Sequence, residues 1–175
     1  MHPPHQCIDL FVDLIQLLGK QPNIALDSSH DRSSGPISLQ RDCMDLPCAI
    51  NFIYEFGRLL LNDGCTGMSV FSLDKHREVQ FDEHKMFFIY ARDVSPFLPI
   101  LEAHGVSFDP DMTFVAHTEH LHRSSEDYAE EFQIFAHQIG AADFDLFDDG
   151  DNPDAHEEDD PYGFRGDGWK NPSPE

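Results

Sequence analysis

The 175-residue sequence predicts an α+β fold, with a small antiparallel sheet of about four strands packed against three to four helices. Two patterns support this. Apolar residues recur with a helical period near both ends of residues 1–142, whereas a two-residue period, typical of strands, occupies much of the middle. Residues 143–175 show neither period. The sequence therefore predicts one domain at 1–142 and a disordered acidic tail at 143–175.

Four segments carry helical signals, at 8–18, 45–61, 95–104 and 124–139. In the first and last of them, apolar side chains recur three or four residues apart and would form one face. A glycine directly follows the first, and glycines also follow the third and fourth, where they can end a helix. We expect Ser124 to cap the last helix, because its hydroxyl can accept a hydrogen bond from a free backbone N–H of the first turn.

Strands are predicted at 68–73, 79–81, 86–90 and 112–116, the first three as an antiparallel meander. The third is a continuous apolar run, which predicts burial on both faces of the sheet. Residues 20–46 are rich in Pro, Ser, Asn and Asp and predict a long loop.

The chain is strongly acidic, with 33 Asp and Glu against 11 Lys and Arg and a formal net charge of -22. Such a charge repels phosphate backbones and anionic lipid headgroups, so we expect neither direct nucleic-acid binding nor membrane binding. It favours cations and basic protein surfaces.

No segment at the N-terminus combines a positive start with an uninterrupted apolar run, and nowhere do 18 apolar residues follow one another. The four cysteines contain no C-x-x-C pair. These features predict a soluble, cytoplasmic protein with reduced thiols.

A polar segment rich in histidine carries the residue types that bind a divalent metal such as zinc. The candidate ligands are His117, Glu119, His120, His122 and His84. In an extended chain, alternate side chains point the same way, and a neighbouring element would supply His84 or His104 as a further ligand. The alternative interpretation is a set of surface histidines without metal, since no H-E-x-x-H spacing is present.

The tail combines acidic residues with five aromatic residues that are candidate anchors for a protein partner. These are Phe144, Phe147, Tyr162, Phe164 and Trp169. The alternative is a solvated tail whose first aromatic residues fold back onto the domain.

Two functions remain open at this point. The first is a small acidic protein-binding or inhibitory module that acts on a basic partner, for example a toxin or a nucleic-acid enzyme. The second is a metal-dependent enzyme, hydrolytic in type, that uses the segment 117–122. The sequence has no phosphate-binding G-x-x-x-x-G-K and no G-x-S-x-G motif, which disfavours nucleotide-dependent and serine-hydrolase chemistry.

Overall fold

The computed structural model describes residues 4–31, 35–112 and 123–143. In chain order the elements are α1 Pro4–Ile15, a 3₁₀ turn Gln16–Leu18, β1 Asn23–Ser28, β2 Ile37–Arg41, α2 Leu46–Glu55, α3 Gly57–Asn62, β3 Thr66–Ser72, β4 Arg77–Phe81, β5 Phe87–Ala91, α4 Leu98–Ala103, α5 Glu126–Ile139 and β6 Ala142–Asp143. The predicted strand at 112–116, apart from Met112, and the predicted tail, apart from Asp143, lie outside the described residues.

The strands form one antiparallel sheet in the order β5-β4-β3-β1-β2-β6. This confirms the α+β class with an antiparallel sheet. Five of the described strands have five to seven residues, and β6 adds two residues beside β2.

The prediction of a long loop at 20–46 is wrong, because this stretch contains β1 and β2. In β1, Ile24 and Leu26 alternate with partly buried neighbours, which is a strand pattern only two apolar residues long. The turn-forming residues around it belong to the connections. β1 pairs with β3 on one side and β2 on the other, so this weakly patterned strand lies in the interior of the sheet.

One face of the sheet, here called the helix face, packs against the helices. Cross-strand neighbours on this face form apolar rows, such as Ile24, Val70, Val79 and Ile89. The helix face comprises Ile24, Leu26, Ile37, Leu39, Met68, Val70, Val79, Phe81, Phe87, Ile89 and Ala91, and every core residue located on β1–β5 belongs to it.

Aromatic rings connect the helices to the helix face. Phe11 of α1 lies 5.9 Å from Phe81 and 5.8 Å from Phe87, measured between ring centroids. Phe135 of α5 stacks on Phe56 at 4.3 Å with an interplanar angle of 13°. These large buried rings supply much of the apolar area that stabilises the fold.

The predicted helix at 45–61 is two helices. Phe56 leaves the helical conformation, with φ -96° and ψ 14°, and α3 begins at Gly57. A β-carbon at position 57 would lie 3.4 Å from the Ile8 side chain, which places the start of α3 in contact with α1. The break leaves both Phe56 and Gly57 buried.

The other helices agree with prediction, with small shifts. The cap of α5 is Ser125 instead of Ser124, and its hydroxyl accepts a hydrogen bond from the Tyr128 backbone N–H at 3.4 Å. Gly140 ends α5 in the left-handed conformation at φ 67°. α4 is confined to Leu98–Ala103.

The expectation that the third predicted strand is buried on both faces is wrong. That strand is β5, which has one described neighbour, β4, and none of its residues is fully buried. Tyr90 is 39% exposed because its side chain points away from the helices.

Within 4–31, 35–112 and 123–143, the helices fall short of the length and apolar content needed to cross a bilayer.

Truncation of Phe135 tests the aromatic core. We expect Phe135→Ala to lower the free energy of unfolding by about 3–5 kcal/mol, because a fully buried ring that stacks on Phe56 is lost. The matched control is Ile134→Ala on the same helix, where the side chain is 52% exposed and the loss should stay within about 0.5 kcal/mol. Denaturant titration measures both; equal losses would contradict the packing described here.

Candidate functional site

The second face of the sheet, here called the outer face, carries the alternate residues of the same strands. It comprises Asn23, Ala25, Asp27, Ser38, Gln40, Gly67, Ser69, Phe71, Glu78, Gln80, Phe88 and Tyr90. None of these residues belongs to the core that contacts the helices. Apart from Ala25 and Gly67, they carry polar, aromatic or acidic side chains, whereas the core residues of the helix face are all apolar.

Charges are sorted between the two faces. The strands β1–β5 contain two carboxylates, Asp27 and Glu78, and both are on the outer face. Their two arginines, Arg41 and Arg77, fall in the register of the helix face. The Arg77 guanidinium donates to the Leu17 carbonyl oxygen at 3.2 Å. The outer-face positions of these five strands therefore include carboxylates and no Lys or Arg.

Glu78 lies on the outer face of β4, between β3 and β5, and is half-buried. Burial raises the pKa of its carboxyl, and the negative charge of Asp27 raises it further. A hydrogen bond with Ser69 acts in the opposite direction. Burial also raises the pKa of the Tyr90 phenol, and the charges of Glu78 and Asp82 add to this effect. These shifts show that the carboxylates act on one another and on the neighbouring phenol.

Aromatic residues lie beside these carboxylates. The rings of Phe88 and Tyr90 are stacked on β5, with centroids 6.4 Å apart and an interplanar angle of 12°. Phe71 and Glu78 are directly opposite each other on β3 and β4, and Glu78 is directly opposite Tyr90. The outer face thus combines apolar rings and acidic groups at neighbouring positions.

A depression of about 270 Å³ lies at one end of the outer face. Its lining residues are Asp27, Ser28, Ser29, Pro36, Gly67, Gln80, Asp82, Glu83 and His84. Three of the nine are carboxylates and none is Lys or Arg.

Hydrogen bonds hold two of these carboxylates in place. Ser29 Oγ donates to Glu83 Oε2 at 2.7 Å. Asp82 Oδ2 lies 2.8 Å from His84 Nδ1, and Asp82 Oδ1 accepts from the Met86 backbone N–H at 2.8 Å. The carboxylate positions are therefore set before any ligand binds.

A buried polar cluster underlies the same end of the sheet. His30 Nδ1 lies 2.7 Å from Ser28 Oγ, and His30 Nε2 lies 3.0 Å from Asp63 Oδ2. Thr66 Oγ1 donates to the same Asp63 oxygen at 2.6 Å. Ser, His and Asp together are the residue types of a hydrolase triad. However, Ser28 is 5% exposed and shares the register of Leu26 on the helix face, so we interpret the cluster as structural.

Two of the histidines considered as metal ligands, His84 and His104, lie among the described residues, and each pairs with an aspartate. His84 pairs with Asp82, whereas His104 Nε2 pairs with Asp13 Oδ2 at 2.8 Å, between α4 and α1. Among the described residues, no group of three His, Cys, Asp or Glu side chains is suited to hold a metal ion. The other predicted ligands, His117, Glu119, His120 and His122, lie outside those residues, as do the five predicted tail anchors Phe144, Phe147, Tyr162, Phe164 and Trp169.

The sequence does not predict the outer face, because it predicts a loop where β1 lies. Without β1, the predicted strands give no reason to place Asp27 on the same surface as Glu78. The signal that could have identified it is the alternation of Ile24 and Leu26 with the residues between them.

Comparison with protein-family models, with curated proteins and with solved structures found no match to this chain.

Substitution of Glu78 tests the electrostatics of the outer face. A raised pKa means that the folded chain binds the proton more strongly than the unfolded chain, so ionisation of Glu78 costs stability as the pH rises above about 4. We expect Glu78→Gln, which mimics the protonated form, to be more stable than the wild type at neutral pH. This gain should shrink toward zero as the pH falls below about 4.

The control is Asp74→Asn. The Ser72 hydroxyl lowers the pKa of the exposed Asp74, so ionisation of Asp74 should not cost stability and the variant should gain nothing at neutral pH. Denaturant titration over a pH series measures both variants. A Glu78→Gln variant that is less stable than the wild type at neutral pH would contradict the effect described for Glu78.

Proposed function

We propose that the protein is a small binding module for a basic protein partner and that the outer face, with its depression, is the docking surface. The observation that carries this proposal is the composition of that face. The Glu78 carboxylate lies between Phe71 and Tyr90 on it, Asp27 adds a second carboxylate, and Lys and Arg are missing from its positions on β1–β5.

Charge complementarity supports a basic partner. The whole chain has a formal net charge of -22, which attracts cationic surfaces over distances of about a Debye length, roughly 8 Å at physiological salt. Such attraction raises the rate of encounter and excludes acidic competitors. Phosphate backbones and anionic lipid headgroups are repelled by the same charge.

The aromatic residues favour a protein partner over a free cation. Phe88, Tyr90 and Phe71 offer rings for apolar side chains and for stacking by arginine, whose planar guanidinium also pairs with carboxylates. Tyr and Phe are among the residues enriched in the buried centre of protein interfaces. A partner that presents Arg or Lys interspersed with apolar residues would match both features.

The size of the depression agrees with this partner. Its volume of about 270 Å³ is below the roughly 300–1,000 Å³ typical of pockets that enclose a small-molecule ligand. A single basic side chain is therefore a better occupant than a cofactor. Asp27, Asp82 and Glu83 would surround its positive charge.

An inhibitory role follows if the partner is an enzyme that acts on nucleic acid. The groove of such an enzyme is basic, and an acidic module bound there would compete with the polyanionic substrate.

A basic peptide tests the docking surface. We expect a peptide of alternating arginine and valine to bind at physiological salt and to shift the NMR resonances of Asp27, Glu78 and Gln80. The double variant Asp27→Asn/Glu78→Gln should weaken binding by roughly tenfold, which corresponds to about 1.4 kcal/mol.

The matched control is Asp127→Asn/Glu130→Gln, which removes the same two charges from exposed positions of α5. This variant should bind within about twofold of the wild type, because distant exposed charges are screened. A peptide of alternating glutamine and valine should not bind. Equal weakening by both double variants would show general charge attraction and refute a docking surface on the outer face.

A further inference from the structure

The buried His30–Asp63 pair joins the segments that form the walls of the depression. Asp63 lies at the junction of α3 and β3 and its side chain is 0% exposed, while the His30 side chain is 13% exposed. His30 follows Ser28 and Ser29, which line the depression. The Ser29 backbone N–H donates to the Cys65 carbonyl oxygen at 2.9 Å, beside the pair.

The opposite wall of the depression is also hydrogen-bonded to Asp63. Lys85 follows Glu83 and His84 of the lining, and its Nζ donates to the backbone oxygens of Asp63 at 2.6 Å and of Thr66 at 3.3 Å. The walls at 28–29 and 83–84 therefore meet at Asp63, through His30 on one side and Lys85 on the other, in addition to the direct hydrogen bond from Ser29 Oγ to Glu83 Oε2.

The surroundings of the pair limit how its charge can be balanced. β1 contributes the Ser28 hydroxyl, β3 the Thr66 hydroxyl, and α5 the ring of Phe132, whose centroid is 5.7 Å from that of His30. Burial lowers the pKa of Lys85, and the charges of Asp63, Asp82, Glu83 and Cys65 act in the opposite direction. Its ammonium hydrogen bonds go to carbonyl oxygens instead of the Asp63 carboxylate.

The charge of Asp63 raises the pKa of Lys85 against the effect of burial, so Lys85 supplies one nearby cation. Among the described residues, His30 is the basic side chain that forms an ion pair with the Asp63 carboxylate itself. Asp63 Oδ1 and His30 Nε2 are both buried and have no hydrogen bond among the described residues. A buried carboxylate without a paired cation is strongly destabilising, whereas a protonated imidazole at 3.0 Å forms an ion pair with it. The contact is weaker when the imidazole is neutral.

We propose that the His30–Asp63 pair is a pH-dependent latch, which holds the walls of the depression together when His30 is protonated and loosens them when the proton is lost. Histidine is the side chain that ordinarily changes charge between about pH 5 and pH 8. The walls should therefore tighten as the pH falls through this range. The consequence for partner binding rests on the proposed function.

Hydrogen exchange of the Ser29 amide tests the latch without any partner. Its protection factor, which is corrected for the intrinsic pH dependence of exchange, should fall at least about tenfold between about pH 5.5 and pH 8 in the wild type. In His30→Gln it should not change with pH. A constant wild-type protection factor would overturn the proposal, and this comparison needs no variant to fold.

His104→Gln is the matched control. His104 also pairs with an aspartate, at 2.8 Å, but the Asp13 side chain is 47% exposed and lies between α1 and α4. This variant should keep the pH response of the wild type. Loss of the response in His104→Gln, or its persistence in His30→Gln, would also overturn the latch.

The peptide of alternating arginine and valine separates this inference from the proposed function. If both hold, the peptide binds more tightly to the wild type at about pH 5.5 than at about pH 8, and His30→Gln removes the difference. A peptide that binds at neither pH counts against the proposed function alone, because the exchange measurement is made on the free protein.

Discussion

The structure depends on the burial of one face of an antiparallel sheet. Side chains alternate along a strand, so once Ile24, Val70, Val79 and Ile89 form an apolar row against the helices, the residues between them must point away. A slip of one residue in the register would bring Glu78 and Gln80 into the core. The core therefore determines the composition of the outer face, although none of the outer-face residues belongs to it.

The same constraint explains how an acidic chain keeps a stable interior and a charged surface. Carboxylates of the strands are on the outer face, where their mutual repulsion is tolerated because part of each group remains hydrated. Asp63 is the exception, since its side chain is fully buried, and the nearby histidine, threonine and lysine are grouped around it. The partly hydrated carboxylate of Asp27 and the buried carboxylate of Asp63 both lie at the end of the sheet that contains the depression. The proposed docking surface and the proposed latch are thus parts of one arrangement.

Strong local patterns were predictable from the sequence, and weak ones were not. The 3.6-residue period of α5 and the alternation in β3 each involve enough apolar residues to identify the element. β4 and β1 have only two alternating apolar residues each, but those of β1, Ile24 and Leu26, lie among Pro, Asn, Asp and Ser, which favour a loop. The place of β1 in the sheet comes from pairing with β3, a contact between distant parts of the chain. The contact between Ile8 and Gly57, just after the break at Phe56, likewise joins distant parts of the chain. The pairing of His30 with Asp63, 33 positions apart, follows from these same long-range contacts.

The central claim is that neighbouring residues of one strand face a closed core and an open surface. Paramagnetic relaxation by a neutral, soluble agent measures this directly on β4, where Val79 and Gln80 are adjacent. The account predicts strong broadening of the Gln80 side-chain amide and little broadening of the Val79 methyl groups. Equal protection of both signals would show that the outer face is covered, which would contradict the account.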